Sequence, residues 1–225
     1  MKNENPSPPI LWGLLASLVL APLSCRPAQT SQKNKAETSV PSTVVKPLPP
    51  TAPAEVKLLV EAAVAQEGVT KSYDPSYVTL DYPNGDVAIE TGVCSDVIVR
   101  AFRKVGIDLQ KEVHEDMRNA RSIYPTRWGA TAIDSSIDHR RVLNLMTYFD
   151  RQGKSLTISR EAKDYLPGDI VAWDLGGGID HIGIITNRWD LKEQRYLIVH
   201  NIGAGTKVED RLFDWQITGH YRYFR

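Results

Sequence analysis

The chain has 225 residues, with 27 Lys and Arg against 27 Asp and Glu, a formal net charge of +0 and 42% hydrophobic residues. That balance argues against a nucleic-acid binder, which carries a basic stripe or patch, while the apolar content is enough for a real core. The 2 cysteines, Cys25 and Cys94, make no disulfide framework, so each needs its own explanation.

The first segment, Ile10 to Ala21, is an apolar run behind a single early cation, Lys2. It is short for a membrane span and long enough for the apolar core of a signal peptide; an uncleaved N-terminal anchor is the alternative. Leu23-Ser24-Cys25 closes the run and resembles a bacterial lipoprotein box, with Pro22 where that pattern has an aliphatic residue. The resemblance implies lipidation of Cys25 and a membrane tether without a spanning helix; a plain signal peptide cleaved nearby is the competing reading. Residues 26–53 are rich in Pro, Ser, Thr and Lys, a composition that buries too little surface to offset its ordering entropy. The expected organisation is a leader over 1–25, a disordered tether over 26–53 and one folded domain over 54–225.

Within the domain, Val56, Leu58, Leu59, Val60, Ala63 and Val64 have helical spacing. Residues 73–86 are turn-rich with scattered tyrosines and read as an irregular loop. Val93, Val97, Ala101 and Val105 repeat at helical spacing and Gly106 supplies a stop, which puts Cys94 in the first turn of a helix. Further helices are expected from Leu109 to about Ala120 and from Asp138 to Asp150. The period then changes. Asp169–Trp173, His181–Thr186, Tyr196–His200 and Gly219–Phe224 are short β-rich runs separated by glycine- and proline-bearing turns. Helices followed by a strand meander make an α+β domain, with N-terminal helices packed on an antiparallel sheet.

A thiol at a helix N-terminus sees the positive end of the macrodipole, which favours the nucleophilic thiolate; a buried apolar cysteine is the plain alternative. His181 opens a strand after a glycine-rich turn, where an imidazole can take the thiol proton and return it to a leaving amine. His200 ends the next strand. An antiparallel pairing brings it beside His181 as the orienting third member of a triad, with Asn201 as the fallback.

Gly92-Val93-Cys94-Ser95-Asp96, Leu166-Pro167-Gly168-Asp169-Ile170-Val171, Asp180-His181-Ile182-Gly183-Ile184 and Val199-His200 together resemble the NlpC/P60 cysteine peptidase arrangement. Within that papain-like superfamily the wider pattern resembles the DUF1287 family, through Tyr73-Asp74-Pro75, Tyr82-Pro83, Asp108-Leu109-Gln110, His114-Glu115-Asp116-Met117 and Ile137 to Val142. The resemblance implies catalytic Cys94, His181 and His200. It also implies an upstream tyrosine at the oxyanion site, matched here to Tyr82, for which packing under the loop is the rival reading. Two departures stand out. Asp96 sits inside the first turn, where its charge opposes thiolate formation, and the segment from Asp108 to Gly153 is longer than a minimal member needs.

Arg140 or Arg141 can hold a substrate carboxylate bidentately, although a solvated helix face or a structural ion pair is the simpler reading of each, and Asp180 stands beside the strand mouth as a further candidate. His220, among aromatics, reads as structural. No metal and no organic cofactor is expected. The function this implies is an exported amidase or endopeptidase acting on peptide or isopeptide bonds. Its substrate would be a peptidoglycan stem peptide or another amide, in the periplasm or cell envelope, with membrane contact only through a lipid anchor. A non-catalytic envelope binding module of the same fold, or an acyltransferase or amidase on another substrate, are the alternatives.

Overall fold

The computed structural model describes residues 42–127 and 132–225. The leader, Cys25 and the first part of the expected tether therefore lie outside the described residues. The elements run β1 (Thr43–Val45), α1 (Ala54–Val64), α2 (Cys94–Lys104), α3 (Leu109–Ala120), α4 (Val142–Arg151), β2 (Ile170–Asp174), β3 (Asp180–Asp190), β4 (Arg195–Asn201), β5 (Thr206–Glu209) and β6 (Gln216–Tyr221). The sheet has the order β5-β4-β3-β2-β6, with β1 on β3 off that path, and every described pairing is antiparallel. The α+β expectation holds.

α2 is the central helix. Val97, Ile98, Ala101 and Phe102 are fully buried and join Ile182, Ile184 and Val199 of the sheet in one core with Leu109, Leu145 and Phe149. The second face of the sheet is covered as well. Val171, Trp173, Ile185 and Ile198 pack there with Tyr165 and Leu212, and Trp173 Nε1 donates to the Leu212 carbonyl at 3.0 Å. Burial on both faces explains why Ile170-Val171-Ala172-Trp173 is continuously apolar rather than alternating.

Several bounds differ from the sequence reading: β3 continues through the expected turn at 187–190 to Asp190, and β6 is Gln216–Tyr221 rather than Gly219–Phe224. The tether does not run to Pro53: Thr43, Val44 and Val45 pair with Asp190, Trp189 and Arg188. Three β-branched residues suit an edge strand, and Lys46 Nζ sits 2.9 Å from the centroid of the Trp189 ring, a cation–π contact. The helix expected from Asp138 begins instead as a 3₁₀ turn, Asp138–Arg140. Arg141 is extended at φ −94 and ψ 120, and α4 starts after it. β5 was not anticipated, because Thr206-Lys207-Val208-Glu209 is short and half polar.

The Pro-Gly-Asp turn serves the sheet rather than the chemistry. Asp169 is buried and holds the end of β6: His220 Nε2 lies 2.9 Å from its Oδ2, and Arg222 donates from Nε to Oδ1 and from Nη2 to Oδ2, each at 2.7 Å. The structural reading of His220 stands, with its ring stacked on Tyr165.

Candidate active site

Buried ionic and glycine chemistry places Cys94 as the first residue of α2. Gly92 has φ +151, and a Cβ there would lie 2.9 Å from Asp96 Oδ2, so the entry turn admits no side chain. The Val93 N–H donates to Asp96 Oδ2 at 2.7 Å, satisfying one orphan donor of the helix start. Arg140 forks onto the same carboxylate, Nε to Oδ1 at 2.9 Å and Nη2 to Oδ2 at 3.0 Å. The approach segment is clamped by Arg100, which forks onto Asp86 at 2.9 and 3.1 Å and donates to the carbonyls of Val87, Ala88 and Thr91. Asn201, the fallback orienter, is spent on backbone: its Nδ2 donates to the Gly92 carbonyl at 2.9 Å and to that of Ser72 at 3.2 Å.

The thiol is buried, 2% exposed. The Ile182 N–H, of the residue after His181, and the Tyr73 hydroxyl both act on it electrostatically. His181 lies opposite Trp173 in register, and its ring leaves the sheet on the face lined by Trp173 and Trp215, at centroid distances of 5.8 and 5.9 Å. The ring of His200 joins it there. His181 Nε2 and His200 Nδ1 are 2.7 Å apart, and His200 Nε2 is 3.2 Å from Glu209 Oε1. Gly183 permits this approach: a Cβ at that position would stand 2.7 Å from Ile198 Cγ2 and 3.2 Å from His200 Cβ. Cys94 lies in the core on the α2 face of the sheet with Ile182, Ile184 and Val199, while the two imidazoles meet each other beside Trp173 and Trp215.

The sequence pattern described as "Domain of unknown function (DUF1287)" matches residues 60–223. The chain belongs to the DUF1287 family. It is 47% identical over 206 residues to "Uncharacterized protein YijF" of Escherichia coli (strain K12), spanning 91% of this chain and 97% of that one. Among solved structures it resembles "Structure of NlpC1 from Trichomonas vaginalis" at a TM-score of 0.37 and 15% identity, over 76% of this chain and 43% of that chain. The α+β description stands on the helices and strands themselves.

The electrostatics of this DUF1287 domain correct one sequence expectation. Burial pushes the Cys94 thiol up to about 12, against the pull of the Ile182 N–H, with the charge of Asp96 adding to the rise. Burial, followed by the neighbouring His200, pushes His181 down to about 3. Burial likewise lowers His200, with Glu209 opposing it. The resting pair is therefore a neutral thiol and a neutral imidazole, not the thiolate expected from the helix dipole. Desolvation outweighs a dipole worth only about 0.3–1 kcal/mol at ordinary sites.

A cleft of roughly 460 Å³ opens over the thiol, lined among others by Tyr73, Arg140, Arg141, Ile179 and Asp180. Of the residues expected to bind substrate, Arg140 is a structural partner: its side chain is 2% exposed and committed to Asp96. Arg141 pairs with Asp138 at 3.3 Å. Asp180 pairs with Arg127 at 2.7 Å, while burial raises its carboxyl above the ordinary carboxylate range. His139, between them in sequence, is buried and pushed by burial down to about 4.

Tyr82 is not at the site. It is 42% exposed and packs on His114 of α3 with ring centroids 4.9 Å apart, the packing role weighed against an oxyanion role. Tyr73 takes the place beside the thiol instead. Its hydroxyl is raised by burial and then by Cys94 itself, so it stays protonated as a donor. Two more residues went unrecognised in the sequence, Glu209 behind His200 and Trp215 over both imidazoles. What the cleft brings together is a buried thiol, the Tyr73 hydroxyl beside it and the start of α2.

Proposed function

We propose that this domain is a cysteine hydrolase that cleaves an amide bond, with Cys94 as nucleophile, His181 as general base and then acid, and His200 orienting His181. Support for the reading comes from the place of Cys94 at the start of α2 beside a cleft, and from the His181–His200 pair at 2.7 Å on the strand whose Ile182 packs with Cys94. As Cys94 Sγ bonds to the carbonyl carbon, its proton passes to His181 Nδ1, and the carbonyl electron pair moves onto oxygen. The N–H of Cys94 and the hydroxyl of Tyr73 hold that oxyanion. Collapse breaks the C–N bond, and the amine leaves with the proton from His181. Water then cleaves the thioester with His181 again as base, which frees the acid and restores the thiol.

The proposed substrate is a peptide or isopeptide bond of peptidoglycan, and the proposed place is the cell envelope. Support comes from the apolar run Ile10–Ala21, the Leu23-Ser24-Cys25 box and the proline-rich segment behind it. Digestion of purified wall material by residues 42–225 should release product peaks that a Cys94→Ala variant does not. Identical traces from both proteins across several wall chemotypes would remove the hydrolase reading. For the anchor, radioactive fatty acid should label the full chain and not Cys25→Ala; label retained in the variant excludes Cys25.

A further inference from the structure

His200 has two neighbours, and they fix where its proton sits. Its Nδ1 is 2.7 Å from His181 Nε2, so one proton lies between the two rings. Its Nε2 is 3.2 Å from Glu209 Oε1. An ionised carboxylate only accepts hydrogen bonds, whereas a neutral imidazole has one donor and one acceptor nitrogen. We infer that Glu209 is a positioning residue that sets the tautomers of both histidines and thereby delivers His181 Nδ1 as the free base nitrogen.

The geometry allows one neutral solution. With the Glu209 carboxylate against Nε2, His200 carries its proton there and donates to Glu209. Its Nδ1 is then an acceptor, so the proton between the rings belongs to His181 Nε2. The remaining lone pair of His181 lies on Nδ1, the only ring nitrogen left to take the thiol proton. In the opposite arrangement, His200 protonated at Nδ1 would present a lone pair to the carboxylate and force the proton of His181 onto Nδ1, leaving no base for the thiol. β5 supplies this control. Glu209 is paired with Ile198, the residue two before His200 on β4, so the two side chains share a face as diagonal neighbours. Arg211 Nη2 approaches the second carboxylate oxygen, Oε2, at 3.5 Å and leaves Oε1 for the histidine. His200 itself is fully buried, so Glu209 rather than water meets its Nε2. Trp215 covers both rings.

The assignment of His181 as base rests on the hydrolase reading, but the tautomers do not. They are read directly from imidazole ¹⁵N shifts of residues 42–225 at neutral pH. The expected spectrum has both His181 and His200 protonated at Nε2. In Glu209→Ala the His200 signal should move to a mixed tautomer, and in Glu209→Gln, whose amide oxygen still accepts, it should stay. A parent spectrum with His200 protonated at Nδ1, or at both nitrogens, overturns the inference, as does an unchanged His200 tautomer in Glu209→Ala. Where turnover is measured, Glu209→Ala should lower kcat roughly 10- to 100-fold with KM unchanged, and Glu209→Gln should restore most of it. Loss of turnover in both variants alike, with the tautomers of the parent, would assign Glu209 a merely structural part. Absence of turnover in the parent alongside the expected spectra would fail the hydrolase reading and leave this one standing.

Discussion

Arg140→Ala should destabilise the domain by about 3–5 kcal/mol, the range seen when one partner of a buried ion pair is removed. Both side chains are almost wholly buried, at 2% and 4% exposure, so solvent screening does not soften the loss. The Asp96 carboxylate would keep only the Val93 N–H and become a nearly uncompensated charge at the first turn of α2. Arg140 also ties three segments together: its guanidinium approaches the carbonyls of Ser76 and Asp74 at 3.3 and 3.4 Å, and its own carbonyl accepts from Ser95 Oγ at 2.6 Å. Urea unfolding followed by circular dichroism measures this. A midpoint within experimental scatter of the parent would show that the pair does not organise the helix start. The double variant Asp96→Ala with Arg140→Ala should be less damaged than the single one, because no lone charge is left buried.

His181→Ala should reduce turnover by about 10²–10⁴-fold at neutral pH, the usual worth of a positioned general base. Its pH dependence should change as well. In the parent, the thiol is held up at about 12 and the imidazole down at about 3, so the neutral pair persists across the neutral range and the rate is flat there. Without His181, attack depends on unaided thiolate. Below the raised pKa that fraction grows about tenfold per pH unit, so the residual rate should climb steadily into alkali. A flat residual profile, or a loss under threefold, would show that another group takes the proton.

The helix carrying Cys94 was legible in the sequence because its apolar spacing and glycine stop are local signals. Its observed span, Cys94–Lys104, starts one residue after the expected Val93, which caps it. The meeting of His181 with His200 was legible too, since two antiparallel strands joined by a turn place the start of one beside the end of the other. What the residues did not disclose was set by packing between distant segments. Tyr73 and Tyr82 both lie in one turn-rich loop, and no spacing rule says which side chain reaches the thiol and which settles on α3. Glu209 lies on a strand too short and polar to announce itself, and its contact with His200 exists only once β5 pairs with β4. The charge state of Cys94 failed for the same reason: a helix N-terminus is visible in sequence, whereas the depth of burial that overrides it is not. The buried pairing of Asp96 with Arg140 joins residues 44 apart in the chain. It turns an apparent departure from the family pattern into a support for the helix start.

The central claim is that Cys94 becomes covalently bound to the acyl half of its substrate. Its most direct measurement is mass spectrometry of the protein acid-quenched soon after mixing with soluble wall peptides. The account expects an added mass equal to one acyl fragment, mapped to Cys94, sensitive to hydroxylamine and absent from Cys94→Ala. Release of product by a Cys94→Ala protein that carries no adduct would contradict it.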